Sequence, residues 1–306
     1  MSPVSGLVVA VGDLVEDVVV WTSAPVSHAT DNPAIVHRTR GGSAANVAAF
    51  AALSGPARFV GRVGDDPLGR ALVEELVQAG VEPRVQVAGR TGSIVILVDE
   101  HGERTMFPDR GAAAELAEVP ADWVDGAGVI HAPAYVFVGT ASRSAAIQLL
   151  AVARRQGALL SIDAASVGAL HEVGKRAFLA LLAGIGPDLL FANAAEAALL
   201  GLPERRPDVS TVVVKDGARP VHVTAPNGVT TVVEVAPVGT VRDTTGAGDA
   251  FAAGYLRAVL AEADAVAAVH AGSRLAGSVL VRPGAAAGPW PPSRRQPTSK
   301  EGDGRG

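Results

Sequence analysis

The chain has 306 residues, of which 48% are hydrophobic and 19% charged, enough for one large α/β domain or two ordinary ones and too apolar for a disordered chain. A net charge of −5 gives no footprint for nucleic acid or an anionic membrane, both of which call for clustered Lys and Arg. There is no cysteine, which excludes disulfides, cysteine-ligated zinc and cysteine nucleophiles; the first residues lack a basic leader and the apolar runs fall short of the ~20 residues of a membrane helix, so the expectation is a cytoplasmic protein without membrane association.

In chain order, Leu7 to Val11 reads as a buried strand ending at Gly12. Glu16 to Trp21 and Ala34 to Arg40 form one strand-rich patch. Ala44 to Leu53 is a proline-free, Ala-rich helix, Arg58 to Val63 a strand, and Pro67 to Ala79 a helix with proline in its first turn and Gly80 just past its end. Gly92 to Asp99 and Arg104 to Pro108 form a second strand-rich patch, joined by Glu100-His101-Gly102-Glu103, which has the composition of a hairpin turn. The two patches, roughly residues 16–40 and 92–110, suit a small sheet projecting from the domain as a lid. Strands are then expected at Gly128 to His131, Ala158 to Asp163, Pro187 to Phe191 and Ser210 to Lys215. Helices are expected at Ser142 to Gln156, Gly168 to Leu182, Ala194 to Leu200, Ala247 to Ala261 and Ala263 to Val279. This alternation predicts a parallel sheet flanked by helices over residues 1–286. Residues 287–306, rich in Pro, Gly, Ser and charge, read as a disordered tail.

The segment with the most chemistry runs Arg242-Asp243-Thr244-Thr245-Gly246-Ala247-Gly248-Asp249-Ala250-Phe251. A glycine-rich turn opening a long helix presents free N–H groups at the positive end of the helix dipole, a site for an anion. Asp249 is a carboxylate inside that cradle. A base beside an anion hole suits phosphoryl transfer; taken alone, the segment reads equally well as a helix cap and a turn.

This segment resembles the C-terminal signature of the ribokinase-like (PfkB) family. The N-terminal signature is similar to Arg40-Gly41-Gly42-Ser43-Ala44-Ala45-Asn46-Val47-Ala48. Between and beyond them stand further matches in the family's order: Val60-Gly61-Arg62-Val63-Gly64-Asp65-Asp66 with Gly69, Asn193-Ala194-Ala195-Glu196, Val214-Lys215-Asp216-Gly217 and Val281-Arg282-Pro283-Gly284-Ala285. The resemblance covers residues 6–286.

It implies a three-layer α/β/α fold with a mostly parallel central sheet and a β lid, and an ATP-dependent, magnesium-using kinase for a sugar hydroxyl of the ribose, fructose or 2-keto-3-deoxygluconate type. Asp249 would be the base, and the amides of Gly246, Ala247, Gly248 and Asp249 would hold the transferred phosphoryl group. Asn193 and Glu196 would act on phosphates and, through water, on Mg2+; the same two residues make a capping box. Lys215 and Gly217 would meet nucleotide phosphates, and His270 and Arg274 fall where the adenine pocket lies. Asp17, with Asp13 as its rival, would take sugar hydroxyls beside Gly41, Gly42 and Asn46; a carboxylate suits a vicinal diol. Asp243 and Thr245 match positions used for K+ in some members. Pairing of lids between subunits implies a homodimer.

Ribokinases proper often carry Lys after the Gly-Gly pair, where this chain has Ser43, which counts against ribose. Arg104 and Arg110 flank the lid hairpin and read as solvated arginines or as contacts to an acidic substrate. A nucleoside kinase of the same fold is the nearer rival; only Trp21, Phe107 and Tyr135 offer a stacking ring. A non-catalytic sugar-binding regulator is the distant rival, and it predicts loss of the base or cradle, both intact here. No Walker P-loop or Rossmann Gly-x-Gly-x-x-Gly occurs in its required context, and the seven histidines include no His-Glu-x-x-His.

Overall fold

The computed structural model describes residues 6–99, 103–202, 209–239, 241 and 244–281. The chain begins with β1 (Leu7–Val11), β2 (Val15–Thr22), β3 (Ala34–Gly41), α1 (Ser43–Ala52), β4 (Ala57–Val63), α2 (Pro67–Gln78), β5 (Val81–Val87), β6 (Thr91–Val98) and β7 (Arg104–Gly111). It continues with β8 (Ala127–Pro133), α3 (Thr140–Arg155), β9 (Leu159–Asp163), α4 (Val167–Val173), α5 (Lys175–Ile185), β10 (Leu189–Asn193) and α6 (Ala194–Leu200). The described part closes with β11 (Thr211–Asp216), β12 (Arg219–Thr224), β13 (Thr230–Val233), α7 (Ala247–Leu260) and α8 (Ala265–Leu280).

The main sheet has the order β13-β12-β11-β10-β9-β8-β1-β4-β5. All neighbours from β11 to β5 run parallel, and the antiparallel hairpin of β12 and β13 extends one edge. Its inner strands are apolar on both faces because both faces are covered. Val8, Ala10, Phe59, Val129 and Phe191 pack toward α1, α2, α7 and α8. Their neighbours Val9, Val11, Val60, Ile130 and Leu190 pack toward α3 to α6. The result is the expected three-layer α/β/α fold. Phe59, Phe137, Phe178 and Phe191 are fully buried, each contributing ~1.5–3 kcal/mol of apolar burial. Among the described residues no helix is long and apolar enough to cross a membrane.

The lid is a separate four-stranded sheet in the order β3-β2-β6-β7. β2 pairs antiparallel with β3, and β6 with β7, while β2 and β6 run parallel and join the two hairpins. At the turn of the second hairpin, Asp99 N–H donates to the Glu103 carbonyl at 3.0 Å; residues 100–102 lie outside the described residues. The tail 287–306 also lies outside them.

Two expectations are corrected. The single helix over Gly168 to Leu182 is two helices broken at Gly174, whose φ of 87° no helix accommodates. Three strands were not expected at all: β5, an edge strand carrying Pro83, and the β12–β13 hairpin.

Candidate active site

The carboxyl ends of the parallel strands gather the polar residues, as in open α/β sheets generally. α7 starts at left-handed Gly246, and its first turn points at this edge. Amides of a first turn have no intrahelical acceptor; the Ala247 N–H is taken by the Thr244 carbonyl at 3.2 Å, which leaves those of Gly248 and Asp249 as the helix's own anion donors.

Asp249 stands in this first turn and is partly buried. Ser43 Oγ donates to its Oδ1 at 2.6 Å and Asn46 Nδ2 to its Oδ2 at 2.9 Å. Burial pushes its carboxyl up to about 6, with Asp163 adding to the rise, while the donors Ser43 and Asn46 and the charge of Lys215 oppose it. Behind Asn46, the buried Arg40 donates Nη1 to Asn46 Oδ1 at 2.8 Å, and its Nε lies 3.5 Å from Glu75.

Next to this group the lid meets the sheet. A methyl on Gly41 would stand 2.1 Å from Asp17 Oδ1, and one on Gly42 (φ 97°) 2.2 Å from the Asp13 carbonyl. Both aspartates are buried. They differ in company: Asp13 receives Nε and Nη2 of Arg110 at 2.7 and 2.6 Å, whereas Asp17 lines the lid face that also carries Val19 and Trp21, by strand alternation. Arg110 is thus no solvated arginine. Arg104, at the start of β7, donates to Thr245 Oγ1 and Thr244 Oγ1, both at 2.6 Å.

On the other side of the α7 N-terminus, Lys215 Nζ lies 3.0 Å from Asp163 Oδ2 and over the rings of Phe191 and Phe251 at 5.6 and 5.8 Å. A methyl on Gly248 would be 3.6 Å from that ammonium. Asn193 caps α6 and Glu196 closes the capping box, with both Glu196 oxygens accepting from Asn193. Burial lifts the Glu196 carboxyl to about 7, with Asp163 adding to the rise while the Asn193 amide and the charge of Lys215 oppose it.

The structure therefore brings Asp249, the Gly246–Gly248 turn, Asn46, Gly41, Gly42, Asp13, Asp17 and Lys215 to one edge, with Asn193 and Glu196 at the end of the neighbouring strand β10. Gly217 turns the chain between β11 and β12. His270 and Arg274 are exposed on α8, with no polar contact among the described residues. Asp243 and the Arg282-Pro283-Gly284 stretch lie outside the described residues. Sequence reasoning passed over Asp163 and the roles of Arg40, Ser43 and Arg110. Asp163 sits in no spaced motif, and its partner Lys215 is distant in sequence.

The profile of the pfkB family carbohydrate kinase matches residues 5–292. The chain belongs to the pfkB family of carbohydrate kinases. As a pfkB kinase it is a phosphotransferase with an alcohol group as acceptor. It is 33% identical over 239 residues to a protein named fructokinase from Klebsiella pneumoniae, covering 72% of this chain and 77% of that one. It is 32% identical over 260 residues to an ATP-dependent ribose-1-phosphate kinase from Halopiger xanaduensis, covering 81% and 83%. The chain spans about half the length of the plant fructokinases it matches. Adenosine kinase from Sinorhizobium meliloti superposes with a TM-score of 0.81 over 92% of this pfkB chain and 95% of that one, at 24% identity, which shows the fold.

Proposed function

We propose that the chain transfers the γ-phosphoryl group of ATP to a hydroxyl of a free sugar, with fructose the first candidate, and that Asp249 is the base. The observation that carries this reading is the placement of Asp249. Its carboxylate sits between the open amides of α7 and the Asn46–Gly41–Asp17 corner, so a hydroxyl held on that corner has the base and the anion cradle on one side. A proton affinity near 6 suits a base working near neutral pH.

The acceptor hydroxyl gives its proton to Asp249 as its oxygen attacks phosphorus. The amides of Gly248 and Asp249, the helix dipole and the Lys215 ammonium balance the charge that develops on the transferring group. Asp17 takes sugar hydroxyls. Asp13, tied to Arg110, holds the lid strand β7 against the sheet. Lid closure excludes water, so the phosphoryl group goes to sugar.

Glu196 and Asp163 fit magnesium. They form a buried acidic pair whose proton affinity is raised at Glu196, and among the described residues no third ligand of the His/Asp/Glu type joins them. Mg2+ takes few protein ligands and keeps its waters, and when bound it neutralises phosphate charge. Asn193 and Lys215 would meet the nucleotide phosphates beside it. Of the two residues matched to a K+ site, Asp243 lies outside the described residues and the Thr245 hydroxyl accepts from the Arg104 guanidinium.

The outward lid face carries Val18, Val20, Val36, Val95, Leu97 and Phe107, opposite in register to Asp17. Val36 and Phe107 are more than half exposed. A second copy of the chain suits this face, which makes the protein a homodimer. A cytoplasmic location accords with an ATP donor. A nucleoside acceptor is the second reading, because Trp21 shares the lid face of Asp17 and offers a ring for stacking.

ADP release with Mg-ATP is the test, run against fructose, ribose, 2-keto-3-deoxygluconate, ribose 1-phosphate, adenosine and cytidine, with and without K+. Turnover on fructose that disappears in Asp249→Asn is expected. Turnover on a nucleoside alone would replace the sugar reading, and activity surviving Asp249→Asn would remove Asp249 as the base.

A further inference from the structure

The two donors on Asp249 are held differently. Asn46 has its carbonyl end fixed: Arg40 Nη1 donates to Asn46 Oδ1 at 2.8 Å, and Arg40 is only 2% exposed. A guanidinium can only donate, and an asparagine amide has one accepting end and one donating end. With Oδ1 committed to Arg40, Nδ2 must face Asp249. A flip would set NH2 against the guanidinium and the carbonyl against the carboxylate. Arg40 is held by its burial, and its Nε lies 3.5 Å from Glu75 on α2, an ion pair without a hydrogen bond. Ser43, by contrast, is the first residue of α1, and its hydroxyl has Asp249 as its hydrogen-bond partner among the described residues; it can turn away about one bond.

We propose that Arg40 is a positioning residue that locks Asn46 as the permanent donor to Asp249 Oδ2, leaving Oδ1 as the oxygen on which the acceptor hydroxyl docks by displacing the hydroxyl of Ser43. The inference rests on the kinase reading above. It explains why one partner of the base comes from a buried pair, Arg40–Asn46, and the other from a side chain with no further hydrogen-bond partner among the described residues. The charged and titratable groups around Asp249 are Asp163 on β9, Lys215 on β11, Tyr135 after β8 and Arg40 on β3.

A donor on a carboxylate favours its charged form, so losing one raises the pH at which the base becomes active. The pH profile of kcat/KM reports the free enzyme and that of kcat the substrate complex. Ser43→Ala is expected to move the acid limb of kcat/KM upward by about half a pH unit and leave that of kcat in place, since the substrate has already displaced Ser43. Arg40→Met is expected to move both limbs upward. Asn46→Ala already lacks the donor, so adding Arg40→Met to it should move the limbs no further than Asn46→Ala alone. A further upward movement would mean that Arg40 acts through charge alone, and the lock would be wrong. Equal movement of both limbs in Ser43→Ala would overturn the docking on Oδ1. A residue that only supports the fold would lower stability or rate without moving either limb.

A carbon-13 NMR titration of the Asp249 carboxyl, assigned by its absence in Asp249→Asn, gives the same comparison without turnover. If no acceptor in the panel reacts, the kinase reading fails for those compounds, and an unchanged Asp249 midpoint in Arg40→Met would still refute the lock. Should Arg40→Met not fold, Arg40→Gln replaces it with the same expected direction.

Discussion

Lys215 reaches across β10 to place its ammonium 3.0 Å from Asp163, directly beneath the turn that opens α7. The contact joins the ends of β11 and β9 and sets a positive charge beside Gly248. Removing one partner of a nearly buried pair leaves the other uncompensated. Lys215→Met should therefore destabilise the protein by about 3 kcal/mol, read as a lower urea midpoint, and Asp163→Asn in the same chain should restore much of it. The KM for ATP should rise about tenfold or more, with the sugar KM little changed. Unaltered ATP kinetics would show that the pair is purely structural.

The raised proton affinities of Asp249, to about 6, and Glu196, to about 7, give a pH dependence of both rate and stability. Activity should fall below pH 6 as Asp249 takes up a proton. Stability should move the other way. Both groups bind protons more tightly folded than unfolded, so their contribution is full below about pH 4 and is lost as pH rises through 6 and 7. Asp249→Asn should then lose at least about a thousandfold in kcat while gaining on the order of 1 kcal/mol at pH 8. Thermal melts at pH 5 and pH 8 check the sign: the gain belongs to the higher pH.

Gly41 and Gly42 are adjacent, and their alanine variants should part company. At Gly41 the new methyl meets the Asp17 side chain, which can move. The fold should survive with a loss of ~1–2 kcal/mol, and the sugar KM should rise tenfold or more. At Gly42 the methyl meets the backbone carbonyl of Asp13, and φ is 97°. Neither can yield cheaply, and ~3 kcal/mol or more should be lost. Denaturant midpoints and sugar kinetics on the two proteins separate the cases.

Arg104 holds two threonine hydroxyls from the far side of the active edge. It is exposed, so Arg104→Ala should change stability by no more than about 0.5 kcal/mol. The lid would lose its tie to the phosphoryl turn, and water would reach the donor more freely. The expected result is a higher rate of ATP hydrolysis without sugar and a lower kcat with it. An unchanged ratio of the two rates would mean that this contact does not couple the lid to the turn.

Much of this arrangement is legible in the sequence where local pattern and three-dimensional role coincide. Leu7 to Val11 reads as a doubly buried strand because every residue is apolar, and Thr244 to Asp249 reads as a helix-opening cradle because its glycines and its carboxylate are contiguous. β5 escapes because an edge strand needs no apolar alternation and tolerates Pro83. Gly174 hides inside a convincing helical pattern, and only its positive φ ends the helix. Asp163 is invisible for a different reason: its meaning comes from Lys215 and Asp249, which the sheet brings together from distant parts of the chain. Arg40 and Ser43 were in view as parts of a motif, but their orientation toward Asn46 and Asp249 is a property of the packed structure.

β3 runs from the lid through Arg40 to Gly41, and Gly42 alone links it to α1, so the strand that borders the substrate and the side chain that steadies the base share one short stretch. Such a stretch has a fixed length. One residue added between Arg40 and Asn46 would rotate Ser43 and Asn46 away from Asp249, whatever residue was chosen. The β2–β3 connection at residues 23–33 is exposed throughout and carries no such constraint. Relatives that differ in length within this hairpin should differ there, and scanning insertions through residues 23–46 should show tolerance that stops abruptly at the base of the lid.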